Sequence, residues 1–167
     1  MVDQTFKLDI NWQANHTHSI KTGLHFFNHD LKNEWYEIRN EFYNSGSDSA
    51  YAPEIFGDSS AYADVYNISP KEVAFYIQDK MEFDDMVINV GLRYDQFDPE
   101  SAYPSDRRNP ANQLILPDSM MSLYPQAPVI SQISPRVGFA YQLGGQAVLH
   151  FSYGHFFQMP PMYAMYQ

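Results

Sequence analysis

Period-two alternation of apolar and polar residues marks six stretches of this chain, and helical periodicity is nearly absent. In the first stretch, Phe6, Leu8, Ile10 and Trp12 alternate with Thr5, Lys7, Asp9 and Asn11, and Gln13–Thr17 follow as a short polar turn. The second puts Ile20, Thr22, Leu24 and Phe26 on one face and Lys21, Gly23 and His25 on the other, with Phe27 out of pattern. Residues 31–70 are rich in Asn, Ser, Asp, Gly and Tyr and read as a loop. Then Val73, Phe75, Ile77 and Met81 alternate with Glu72, Tyr76, Gln78, Lys80 and Glu82. Past the Phe83-Asp84-Asp85-Met86 turn, Ile88, Val90, Leu92 and Tyr94 alternate with Asn89, Gly91, Arg93 and Asp95.

A second long loop is expected over residues 97–133, because Pro99, Pro104, Pro110, Pro117, Pro125 and Pro128 bar central-strand pairing. Val137, Phe139 and Tyr141 then alternate with Arg136, Gly138, Ala140 and Gln142. After Gly144-Gly145-Gln146, Leu149, Phe151 and Tyr153 alternate with His150, Ser152 and Gly154, and residues 155–167 read as irregular. Tight turns inside hairpins and long polar segments between them are the signature of transmembrane barrels. Structureless loops of this length are uncommon in compact soluble domains. The chain therefore reads as all-β: an antiparallel, up-and-down transmembrane β-barrel fragment, about six strands in three hairpins with long outer loops.

Turn chemistry fixes two registers. A two-residue Asp84-Asp85 turn opposes Phe83 to Met86, Met81 to Ile88, Ile77 to Leu92 and Phe75 to Tyr94, and on the other face Lys80 to Asn89, Gln78 to Gly91 and Tyr76 to Arg93. A two-residue turn in the last hairpin would set Phe139 against His150. A three-residue Gly144-Gly145-Gln146 loop instead sets Phe139 against Phe151 and Tyr141 against Leu149, and glycine suits its left-handed position. Each hairpin then has one apolar and one polar face, with Asp79 alone misplaced on the apolar side, at a bulge or at interfacial depth. Trp12, Tyr94, Tyr141, Phe151 and Tyr153 lie on the apolar face, several near strand ends, where aromatic girdles sit.

Composition sharpens the picture. Of 167 residues, 16% are aromatic, with 13 Tyr and 12 Phe, and no cysteine occurs, which removes disulfides and thiolate metal sites. The net charge of -10 argues against nucleic acid as a partner. Mean hydropathy is -0.44, and no run approaches the roughly 18–20 apolar residues of a membrane helix. A transmembrane strand needs only every second residue apolar, so such averages miss it. Met1 is followed directly by Val2-Asp3-Gln4-Thr5, without a basic or apolar leader region. A secreted barrel would then begin upstream of this chain.

Particular strings add a resemblance. Phe75-Tyr76-Ile77-Gln78-Asp79-Lys80 and Asn89-Val90-Gly91-Leu92-Arg93-Tyr94-Asp95 resemble paired strands of TonB-dependent receptor barrels. Ile133-Ser134-Pro135-Arg136-Val137-Gly138-Phe139-Ala140-Tyr141 is similar to the next strand start. Phe151-Ser152-Tyr153-Gly154-His155-Phe156-Phe157-Gln158-Met159-Pro160 is similar to the strand and loop after it. These strings cover about the second half of the chain, and residues 18–31 match more loosely. The resemblance implies a 22-stranded barrel of the bacterial outer membrane, plugged by an N-terminal domain. It also implies import of siderophores, cobalamin or glycans with energy delivered through TonB. No plug, TonB box or terminal strand signal is read in 1–167, so the expected domain is a partial barrel over 1–167. Partners are then outer-membrane lipid, TonB through other parts of the receptor, and a small-molecule ligand. No cofactor is called for.

Candidate chemistry is sparse. Arg93, Asp95, Arg136 and Tyr76 fall on the polar face and are expected as a lumen-facing polar ladder. Bracing the wall or plug is its simpler role, and contact with substrate the sharper one. Tyr43, Tyr62, Tyr66, Tyr103 and Tyr124, with Tyr51, stud the loops, where tyrosines either stack on a ligand or pack the loops together. His16 and His18 share a turn and read more simply as solvated residues than as metal ligands. His25 and His29 are too far apart along a strand, about 13 Å at ~3.3 Å per residue, to chelate one ion. Asp48, Glu54, Asp58 and Asp64 lack a calcium-loop spacing. No Ser/His/Asp or paired-carboxylate constellation suggests catalysis, so no enzyme is expected. The rival readings are another outer-membrane barrel (porin or adhesin) and a soluble carbohydrate-binding β-sandwich.

Overall fold

The computed structural model describes residues 2–40, 52–58, 60, 62–106, 109, 120 and 122–166. In chain order these form β1 (Val2–Gln13), β2 (His18–Tyr36), β3 (Ile38–Asn40), β4 (Pro53–Ile55), β5 (Ala63–Ile68), β6 (Lys71–Glu82), β7 (Met86–Asp98), β8 (Ile130–Leu143), β9 (Ala147–Gly154) and a single helical turn, α1 (Met162–Met165). The chain divides into two compact units: Gln4–Asn28, Lys71–Asp98 and Val129–Gln167 in one, and Met1–Asp3, His29–Pro70 and Pro99–Pro128 in the other. No helix among the described residues is long and apolar enough to cross a membrane, which leaves strands free to do so.

The first unit is the wall. Its strands run antiparallel in the order β1-β2-β6-β7-β8-β9, and β1 and β9 are paired on one side only among the described residues. The β6–β7 register joins Met81 to Ile88, Ile77 to Leu92, Phe75 to Tyr94, Lys80 to Asn89, Gln78 to Gly91 and Tyr76 to Arg93. Phe83 and Met86 exchange both backbone hydrogen bonds across the turn, at 2.8 and 3.3 Å. In the last hairpin Phe139 meets Phe151 and Tyr141 meets Leu149, with Gly144 and Gly145 at φ 56° and 75°. Both registers follow from turn length, as the alternation requires.

Across the wall the pairings align in rows. His18, Met81, Ile88, Phe139 and Phe151 make one; Leu24, Phe75, Tyr94 and Ile133 another. This face is apolar yet open: Phe6, Ile77, Leu92, Val137 and Leu149 are exposed, and Trp12 and Phe151 are each 60% exposed. No second sheet covers it among the described residues. Apolar area of this extent on an open sheet face is what lipid contact requires. The turns step along the sheet: Thr17 directly precedes His18, Asp84 lies three residues past Met81, and Gly144 five past Phe139. Such a stagger is the shear that tilted barrel strands need. Pro135 sits inside β8 without breaking it. Its carbonyl accepts from the His155 N–H at 3.0 Å, so its missing donor falls on the side where β9 has just ended.

The second unit corrects the expected loops. Residues 31–70 are not structureless: Leu31–Tyr36 of β2 pair with β5 and β3 pairs with β4. Alternation is lost there, where Asn33, Glu34 and Trp35 pair with Tyr66, Val65 and Asp64. Likewise β7 runs on to Asp98 and β8 starts at Ile130. The proline-rich segment carries no strand among its described residues, but Ala102 bridges Gln126, and the Tyr103 N–H donates to the Pro125 carbonyl at 3.1 Å.

Candidate functional site

The polar face of the wall carries the chemistry. It is built from the alternate residues of β1, β2, β6, β7 and β8, so its positions follow from register alone. Arg93 on β7 faces its strand neighbour Asp95 two residues on. Its Nε donates to Asp95 Oδ1 and Oδ2 at 2.8 and 3.0 Å, and an Nη lies 2.8 Å from Oδ1. Asp95 is 8% exposed, so this doubly hydrogen-bonded pair is largely withdrawn from water.

Opposite Arg93 on β6 stands Tyr76. Its hydroxyl donates to Asp9 Oδ1 at 2.8 Å, and His25 Nε2 lies 3.2 Å from the same oxygen. Tyr76 reaches from β6 to β1 across β2, and the crossing point is Gly23, its pairing partner. A Cβ at Gly23 would collide with the Asp9 carboxylate and come within 2.5 Å of the Tyr76 ring and 3.0 Å of the Leu8 carbonyl oxygen. The glycine is therefore the gap through which three strands are cross-linked. The His25 ring also meets Tyr76 edge-on at 5.9 Å.

Arg136 on β8 stands apart. Its strand partners are Gly91 and Gly154, its guanidinium lies 5.0 Å over the Phe156 ring, and it makes no ion pair among the described residues. Beside it opens a cleft of about 560 Å³, lined by Gln78, Asn89, Arg136, Ser152 and Phe156 over a floor of glycine backbone. A smaller cleft of about 280 Å³ joins Arg136 to His25, Tyr76 and Arg93. Neutral hydrogen-bonding groups and one unpaired cation suit a ligand or protein segment bearing hydroxyls or negative charge.

Of the four expected ladder residues, Arg93, Asp95 and Tyr76 thus lie together and Arg136 across the smaller cleft, outside their hydrogen bonds. Sequence reasoning missed Asp9, Gly23 and His25 as partners of Tyr76. The signal was a glycine among alternating residues, legible only once β2 and β6 are known to be neighbours. Tyr62 is engaged by Arg39 at 4.5 Å over its ring and by Phe56 at 5.2 Å. Tyr66 faces Asn33, and Tyr103 and Tyr124 are exposed. Tyr43, Tyr51 and Asp48 lie outside the described residues.

Among the described residues, no group of three His, Asp or Glu side chains comes together. Asn15 Oδ1 accepts from the N–H groups of Thr17 and His18, both at 2.8 Å, closing the turn. His18 bonds Asp79, and His29 bonds Asp3 at 2.9 Å. Asp58 accepts from Tyr36, and Asp64 from Asn33, both at 2.9 Å.

No curated protein and no solved structure matched the chain. The family model described as TonB dependent receptor-like, beta-barrel matches residues 2–167. With a one-sided antiparallel wall, a staggered set of tight turns and that match over nearly every residue, the chain belongs to the TonB-dependent receptors, outer-membrane transport receptors of bacteria.

Proposed function

We propose that this chain forms part of the barrel wall of an importer for a scarce nutrient of the siderophore, cobalamin or glycan class, with gating driven through TonB. In this reading residues 1–167 are a partial barrel domain, and the plug and remaining strands belong to other parts of the receptor. The function is binding and gated transport, not catalysis. The observation that carries the reading is the division of one sheet into two faces. The outer one is apolar and uncovered; the inner one holds Arg93–Asp95, the Asp9–Tyr76–His25 cluster and the unpaired Arg136. Arg93, Asp95 and Tyr76 brace the wall, and Arg136 meets the moving solute or plug. Tyr62, Tyr66, Tyr103 and Tyr124 line the ligand's approach.

The test is uptake. Cells lacking the receptor gene are compared with complemented cells for uptake of labelled ferric siderophore, cobalamin and oligosaccharide, with and without functional TonB. Loss of one class in both the receptor mutant and the TonB mutant is expected. Uptake that persists without TonB would make the barrel a passive porin, and unchanged uptake of all three would overturn the reading.

A further inference from the structure

We propose that His18 and Asp79 form a headgroup subsite on the lipid-facing side of the wall, one that takes the primary ammonium of an ethanolamine-type phospholipid in the leaflet on the short-turn side. Asp79 belongs to the row Ile20, Asp79, Val90, Val137 and Tyr153, whose other members are apolar or aromatic. No bulge turns it inward, since pairing runs unbroken on both sides. A carboxylate on this face is costly at mid-depth and cheap near the interface. The stagger of the turns supplies the depth: His18 directly follows the β1–β2 turn, at the rim of the wall.

The pair has a definite hydrogen-bonding sense. His18 Nδ1 lies 2.7 Å from Asp79 Oδ2, and a carboxylate only accepts, so Nδ1 donates. The second carboxylate oxygen, Oδ1, has no hydrogen-bond partner among the described residues. It is screened from water, and Asp79 itself lines the apolar groove on this face. A carboxylate oxygen therefore stands on an apolar face with no donor to meet it among the described residues.

An apolar groove of about 520 Å³ runs from Asp79 along the same face, lined by Ile77, Val90, Leu92, Pro135 and Val137. The complement is an acyl chain that ends in a cationic group with several N–H donors. A primary ammonium has three; a choline-type headgroup has the charge and none. The inference rests on assigning this face to lipid.

The experiment places the full receptor in nanodiscs made of equal parts ethanolamine and choline phospholipids with identical acyl chains. Retained lipids are then counted by native mass spectrometry. Severalfold enrichment of the ethanolamine lipid is expected. The enrichment should vanish in a His18→Leu, Asp79→Leu double variant and persist in Ser19→Ala. Equal retention of both lipids by the wild-type receptor overturns the subsite, whatever the variants do, and so does enrichment unchanged in the double variant. Failure of the folded receptor to enter the discs would sink the lipid-face assignment itself. Insertion without lipid preference sinks the subsite alone.

Discussion

Tyr76 crosses Gly23 to reach Asp9, donating its hydroxyl at 2.8 Å and tying β6 to the edge strand β1 over the top of β2. Every residue of β1 is exposed, and its other side-chain anchors, Asp9 to His25, Asp3 to His29 and Lys7 over the Phe27 ring, all run to the adjacent β2. Gly23→Ala should push the ring and the Asp9 carboxylate apart and press on the Leu8 backbone. Overpacking of this kind costs roughly 1–3 kcal/mol. Tyr76→Phe removes only the hydrogen bond, about 1 kcal/mol. Gly57→Ala, with nothing within 4 Å of its new methyl, is the control. The temperature at which the receptor loses its compact, heat-modifiable electrophoretic mobility should fall in that order. A Gly23→Ala receptor as stable as Gly57→Ala would mean that the ring does not pass there.

This cross-link also marks where the sequence stops being readable. Within a hairpin, a turn of two or three residues leaves one register that keeps apolar residues on one face, so Phe75–Tyr94 and Phe139–Phe151 could be paired from residue types alone. Between hairpins the connecting segments are long, and loop-closure entropy changes little when the register slips. Nothing local says that Gly23 meets Tyr76, or that Ile20 meets Asp79. The Asp9–Tyr76–His25 cluster and the His18–Asp79 pair are both products of that unreadable register. The outer half of β2 was hidden for another reason. Alternation reports lipid on one side, and strand residues such as Asn33 and Glu34 can pair with β5 without it.

Arg93 and Asp95 offer a second test. Three nitrogen-to-oxygen contacts of 2.8–3.0 Å hold them, and Asp95 is buried. Asp95→Ala leaves a guanidinium without its acceptor, at about 1–3 kcal/mol. Asp95→Asn keeps one acceptor and the shape, and should cost less. Urea unfolding of the reconstituted receptor would read the difference. Equal stability of Asp95→Ala and wild type would remove the pair from any bracing role.

Tyr36, in the strand segment paired with β5, donates its hydroxyl to Asp58 at 2.9 Å. That hydrogen bond, with lesser contributions from burial and from the charges of Asp58 and Glu34, raises the Tyr36 pKa above the ordinary tyrosine value. A group whose folded pKa is raised holds its proton longer in the folded state. Its stabilisation is complete below the ordinary tyrosine range and is lost as pH rises through the higher, folded value. Ultraviolet titration of tyrosinate should therefore show a late-ionising component to which Tyr36 contributes. That contribution should be lost in Tyr36→Phe and move to lower pH in Asp58→Ala. A titration unchanged by Asp58→Ala would refute the contact.

The face assignment has the sharpest consequence. Val90 and Asn89 are neighbours in β7, but Val90 joins the row of Asp79 and Val137 on the apolar face, while Asn89 joins Lys80 and Gly138 on the polar one. An arginine at either position adds the same charge and bulk to the same strand. On the lipid side it must be desolvated, at a cost that reaches roughly 2–4 kcal/mol at mid-depth and is smaller at the depth Val90 shares with its pairing partner Asp79, whereas on the lumen side water and neighbouring polar groups receive it at little cost. Folding of Val90→Arg and Asn89→Arg receptors into bilayers, followed by urea unfolding, measures both. A measurable loss for Val90→Arg alone is expected. Equal losses would mean that neither face meets lipid, and the wall reading would fall with them.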